Sequence, residues 1–243
     1  MPAGRFRLVI AILAGVVGLP GHVFAEALDR PDIGDLELGV EYSVQPTRFR
    51  EFACGTNGGP PSVIIGSFAD FGQCPREAET GLHEVTFRYD DEIEYYARAM
   101  NLRPIADRFG GTRFGTFPVI VSAMFDEIGV LRGYRIVTDD RGSLRERRVA
   151  HSMSVFAKAQ FSDADWTCET LPAADGETPL GREFVKENCT ASTPEGWNVI
   201  LKTRLLHRPG QSAVDPHTGQ IRAGYYESTA RLEVYEMGWG PGT

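Results

Sequence analysis

The sequence predicts an α+β fold: antiparallel sheet with two main helices and a strand-rich C-terminal third. Three observations carry this. Apolar residues recur with period 2 along much of the chain, only two segments show strong helical periodicity, and the last third alternates strands with turn signals rather than with helices. Helix-then-strands occurs twice, about residues 91–138 and 143–207, without residue-level similarity between the halves.

Taken in order, Leu36, Leu38, Val40, Tyr42 and Val44 alternate with Glu37, Glu41, Ser43 and Gln45, which predicts a half-buried strand. A second strand, Glu84 to Tyr89, points Val85, Phe87 and Tyr89 to one side and runs into Asp90-Asp91-Glu92. Asp91 and Glu94 have the spacing of a capping box, and Ile93, Tyr96, Ala97 and Met100 then recur at helical offsets, predicting a helix with one apolar face. Pro104 ends or kinks it, and Ile105 to Phe109 can add a short turn before Gly110-Gly111.

A hairpin follows. Pro118 to Phe125 and Val130 to Thr138 flank Asp126-Glu127-Ile128-Gly129, where Gly129 can supply the positive φ of a short reversal. Ser143 with Glu146 forms a second capping box, and Val149, Met153, Phe156 and Ala157 give the second helix a stripe read as core. Trp166–Glu169, Glu183–Thr190, Trp197–His207 and Ile221–Glu236 read as the strands of a meander, punctuated by Asp175-Gly176 and Pro194-Glu195-Gly196.

The N-terminus reads as a cleavable secretory signal over residues 1–25: Arg5 and Arg7, an apolar run from Leu8 to Leu19, and small-residue positions at Val23 and Ala25, leaving Glu26 first in a mature domain of 26–243. A subdivision of that domain near 140–165 fits the change in character there. The apolar run falls short of the about 20 residues a spanning helix needs, and no later run matches it, so no transmembrane segment is expected after signal removal. Losing Arg5 and Arg7 takes the net charge from −8 to −10, which argues against nucleic acid as a partner. The local exception, Arg141, Arg145, Arg147 and Arg148, reads as a solvated helix face.

An even cysteine count in an exported chain reads as two disulfides, and four cysteines allow three pairings. The similar spacings favour Cys54 with Cys74 and Cys168 with Cys189, each bracketing a turn-rich stretch. A loop of this size gains roughly 3 kcal/mol on the chain-entropy model. Zinc is the rival, but neither pair has the close spacing of a Cys-x-x-Cys arm. The glycine- and proline-rich stretch after Cys54 lacks the lysine of a phosphate loop and reads as a stapled connection with Val63, Ile64, Ile65 and Phe68 tucked beneath it.

The order of helix then hairpin, with FDEIGVLRGYRIV crossing the turn, resembles the strand pair of small periplasmic envelope modules of the SmpA/OmlA outer-membrane assembly type. That family's opening helical motif and lipidated cysteine are lacking, and no residue role is carried over.

No nucleophile elbow, zinc-protease helix or Ser-x-x-Lys motif occurs, and His83, His151, His207 and His217 lie in no metal-ligand spacing. No catalytic residue, metal or cofactor is assigned. The candidate contact surface is the segment Arg208 to Gly219 between two long strands, with Arg208, Gln211, Asp215 and His217 as its partner-binding side chains. The expected role is an exported, non-catalytic protein binding a protein or glycan partner in the envelope. The alternative is a small secreted hydrolase, which would show a deep pocket with converging acids or His83, His151 or His217.

Overall fold

Among the described residues nine strands share one antiparallel sheet, and one of its faces carries the main apolar core. The computed structural model describes residues 30–241 apart from 57–62, 109, 209, 211, 215–220 and 224–225, so the signal read at 1–25 lies outside the described residues. In chain order the strands are β1 (Phe49–Cys54), β2 (His83–Tyr89), β3 (Arg113–Phe114), β4 (Phe117–Phe125), β5 (Leu131–Thr138), β6 (Thr167–Thr170), β7 (Val185–Ser192), β8 (Trp197–His207), β9 (Ser212–Val214), β10 (Ile221–Ala223) and β11 (Tyr226–Glu236). The sheet runs β1-β2-β4-β5-β11-β8-β7-β6, with β3 on β4, while β9 and β10 form a separate ribbon. Helices α1 (Glu92–Ala99) and α2 (Arg103–Arg108) precede β3; α3 (Leu144–Val149) and α4 (Met153–Gln160) precede β6.

Register builds the core. Phe87, Val121, Ile136, Leu232, Leu201, Cys189 and Cys168 stand directly opposite one another along β2, β4, β5, β11, β8, β7 and β6. Because side chains on a strand alternate with period 2, this whole row faces one way, and all but its last member are buried. Met153 and Ala157 of α4 seal this face over β8 and β11, and Phe68, from a 3-10 turn at Phe68–Gln73, packs on Phe49, Phe52, Phe87 and Phe125. Each fully buried Leu, Ile or Phe here contributes about 1.5–3 kcal/mol of transfer free energy. Leu232 pairs with Ile136, so the C-terminal meander continues the N-terminal strands without a break.

The hairpin of β4 and β5, the meander of β6, β7, β8 and β11, and both disulfides match the sequence reading. Gly129 turns with φ 84°, and Ser143 and Glu146 form the expected capping box. Five readings need correction. Leu36–Val44 is not a strand: buried Gln45 folds back, accepting from the Glu37 N–H and donating to Glu37 O and Val40 O, which closes a turn and leaves Val44 exposed. At α1 the Asp91 side chain makes no cap bond; Asp90 caps Glu92 N instead, and Glu94 is drawn away to Arg98 and the Gly111 N–H.

The apolar face expected of α1 is not buried either. Ala97 alone is covered within the helix, while Tyr95, Tyr96 and Met100 face solvent. Beneath the stapled stretch Ile65 and Phe68 are buried but Val63 and Ile64 are exposed, because residues 63–65 lie along the edge of β1, with Cys54 N–H donating to Val63 O and Ile65 N–H to Phe52 O. Finally, the strand read at Ile221–Glu236 is two: Ile221–Ala223 pairs with Ser212–Val214, so part of the segment read as a loop is a β-ribbon.

Candidate functional site

The opposite face of the sheet mixes polar and charged side chains with a small apolar cluster of Leu82, Met124 and Tyr235, against which Ile200 and Trp239 pack. The row next to the core row reads Thr86, Ser122, Arg135, Glu233, Ile200, Thr190 and Thr167; the one after reads Glu84, Met124, Gly133, Tyr235, Asn198 and Ser192. These two rows hold a buried ionic cluster at the sheet centre and an open groove toward β6.

Arg135 is the centre of the cluster and is 1% exposed. Its Nε donates to Glu233 Oε1 at 2.6 Å, one terminal nitrogen to Glu84 Oε1 at 2.7 Å, and the other to Glu77 Oε1 at 2.8 Å. Ser122 and Thr56 donate to Glu84, and Arg231 donates to Glu233. Burial alone would ease deprotonation of Arg135, but Glu84 and Glu233 outweigh it and hold the guanidinium charged. Burial likewise pushes Glu77 up, yet hydrogen bonds from Thr80 and Arg135 bring it below its ordinary value. Among the described residues Glu233 Oε2 and the Tyr235 hydroxyl find no hydrogen-bond partner.

These shifts set the acid response. Asp126 and Glu146 are also lowered: burial opposes this, but N–H donors of Val130 and Ser143 and the side chains of Arg132 and Arg113 prevail. His151 is lowered from 6.5, chiefly by burial. For every one of these groups the unfolded chain binds protons first as pH falls, so their stabilisation is complete above the unfolded value and is lost through the folded one. The urea midpoint should therefore hold near pH 7, begin to fall below 6.5 through His151, and fall further below about 4.5 through the carboxylates. A midpoint that rises between pH 7 and 4 would contradict these shifts.

The groove has a volume of about 540 Å³ and lies between β6, β7, β8 and the C-terminal segment Trp239–Pro241. Thr167, Thr190, Ser192 and Asn198 line it, and among the described residues none of these four side chains makes a hydrogen bond. Its aromatic wall is the half-buried Trp239, with Tyr235 wholly buried behind it. Gly133 leaves room for Tyr235, since a Cβ there would stand 2.5 Å from Tyr235 Cδ1 and 2.8 Å from the Val234 carbonyl. Arg132 lies over the Trp239 ring at 5.1 Å and is itself clamped by Asp126 and Glu236, at 2.7 and 2.6 Å, so the indole is fixed before any ligand arrives.

A second groove, of about 690 Å³, opens beside β1, β2 and β4. Its charged groups are matched internally: Arg88 with Glu51, Arg98 with Glu94, Arg113 with Glu146 and Arg141 with Asp139. His83 and His151 line neither groove; His83 Nδ1 is 2.6 Å from the Cys74 carbonyl and His151 Nδ1 is 3.2 Å from the Ser228 hydroxyl.

Of the sequence-assigned contact residues, Arg208 makes ion pairs with Glu227 at 2.8 Å and Glu177 at 3.7 Å; Gln211, Asp215 and His217 lie outside the described residues. Cys168, Glu187 and Cys189 bring three potential ligand atoms within 4.8 Å, but both sulfurs are spent in the disulfide. No described helix is long and apolar enough to cross a membrane. No family model, curated protein or solved structure matches this chain, and the hairpin's likeness to small envelope modules gains no support from them.

Proposed function

We propose that this chain is an exported, non-catalytic binding protein whose groove between β6, β8 and Trp239 takes a neutral polyhydroxylated ligand, a glycan. One observation carries the reading: four neutral hydrogen-bonding side chains with no partner among the described residues converge beside a fixed indole. Hydroxyl and amide groups exchange donors and acceptors with sugar hydroxyls, and an aromatic face suits the apolar faces of a sugar ring. The charged groove, whose ions already neutralise one another, offers less to a ligand. Export is supported by the leader-like N-terminus and by two disulfides, which persist in oxidising compartments.

The test is a neutral oligosaccharide array probed with residues 26–243, followed by calorimetry on any hit. Thr190→Ala with Asn198→Ala should weaken binding about tenfold or more, at about 1 kcal/mol for each hydrogen bond lost. Changing Arg208, Gln211, Asp215 and His217 together to Ala should leave it unchanged. The reverse pattern would move the contact surface to the β9–β10 ribbon and its flanks, where a protein partner is the better candidate. No binding to any glycan would remove the groove reading.

A further inference from the structure

The two disulfides occupy opposite kinds of place. Cys54 and Cys74 are 4% and 2% exposed and lie in the aromatic core, whereas Cys168 is exposed on β6 at the sheet edge and Cys189, its directly opposed ladder partner, is 1% exposed. Their Cα atoms are 5.1 and 4.0 Å apart. Cys168 is thus the one exposed residue of the four, and a thiolate in solvent meets this bridge from its side. Beside Cys189, Glu187 Oε2 lies 3.1 Å from Sγ and 2.9 Å from Lys158 Nζ. An oxidised sulfur has no proton to give that carboxylate, so in the disulfide form this contact is an acceptor without a donor. A Cys189 thiol would supply the donor.

We propose that Cys168–Cys189 is a thiol–disulfide exchange site operated by a dithiol reductant, while Cys54–Cys74 is structural. The reductant's thiolate attacks Cys168 Sγ, forming a mixed disulfide, and the S–S electron pair leaves on Cys189 Sγ, next to the Glu187 carboxylate whose charge Lys158 neutralises. Cys189 takes a proton from solvent and donates it in a hydrogen bond to Glu187. The second thiolate of the reductant then attacks the reductant's own sulfur in the mixed disulfide and releases Cys168 as thiolate, which takes a second proton from solvent. The protein gains two electrons and two protons, and the dithiol becomes a cyclic disulfide. The fold keeps its edge after this step, because β6 stays laddered to β7 from Thr167–Thr190 to Thr170–Glu187, with Leu171 N–H donating to Lys186 O at 2.7 Å. This inference does not depend on the glycan reading.

The experiment is timed exposure of the folded protein to dithiothreitol without denaturant, quenching with iodoacetamide and peptide mapping. Cys168 and Cys189 should be labelled about tenfold faster than Cys54 and Cys74. With the monothiol glutathione, the trapped adduct should sit on Cys168. Glu187→Ala should shift the dithiol:disulfide midpoint toward the oxidised form, about tenfold or more, for loss of one hydrogen bond to a charged acceptor. Labelling of all four cysteines together, earlier labelling of Cys54 and Cys74, or an adduct on Cys189 would each overturn the assignment.

Discussion

Replacing Arg135 with Met is expected to cost about 3–5 kcal/mol of unfolding free energy, the penalty of stripping the counter-ion from buried charge. Methionine replaces much of the volume but none of the donors, so Glu77, Glu84 and Glu233 would be left sharing the interior with Arg231, which touches Glu233 from the cluster's rim. Two consequences separate this from simple loss of packing. Adding Glu84→Gln and Glu233→Gln to Arg135→Met should recover about 2 kcal/mol, since neutral amides in the same places no longer repel. The acid response should also weaken. With Arg135 gone, Glu77 loses one of the donors that hold it below its ordinary value, so the variant loses less stability than the parent as pH falls through the carboxylate range. Urea denaturation at pH 7 and 4 reads both effects. A loss under about 1 kcal/mol, or a parent-like pH profile, would show that water already compensates these charges.

The cluster shows where sequence reading stops. Trp197–His207 carries its bounds in its alternation, the β4–β5 turn in Asp126 to Gly129, and the capping box at Ser143 in its spacing. Each of these is local. Glu84, Arg135 and Glu233 sit at outward positions of three strands far apart in the chain, where period 2 places them in solvent. Only register makes Glu233 stand opposite Arg135 and brings Glu84 onto the same face, and register across non-consecutive strands is not written in any one of them. The groove is missed for the same reason: Thr167, Thr190 and Asn198 belong to three strands and carry no motif. Polar residues of one parity in neighbouring strands are the signal available beforehand. The error at Leu36–Val44 is of another kind, since the alternation is genuine but Gln45 satisfies the backbone locally and no strand is needed.

Removing the core disulfide by Cys54→Ala with Cys74→Ala should cost about 2–5 kcal/mol, toward the upper end, and more than removing Cys168–Cys189 in the same way. The bridges close loops of nearly equal length, 20 and 21 residues apart in sequence, so the entropy each withdraws from the unfolded chain is nearly the same, about 3 kcal/mol. The difference must arise in the folded state. Cys54 and Cys74 are buried in the cluster that seats Phe68 against Phe49, Phe52, Phe87 and Phe125, and alanines there open space that a packed aromatic core closes only in part. In the other bridge only Cys189 fills core space, while Cys168 is exposed. The core bridge also fixes the end of β1, two residues before Thr56, whose hydroxyl donates to Glu84 and accepts from Arg135. Loss of the staple should therefore loosen the ionic cluster as well. The cost of Cys54→Ala/Cys74→Ala and that of Arg135→Met should combine to less than their sum, by about 0.5 kcal/mol or more, because sites that share a network couple. Strict additivity in urea titrations of the single and combined variants would mean that the bridge stabilises its loop alone.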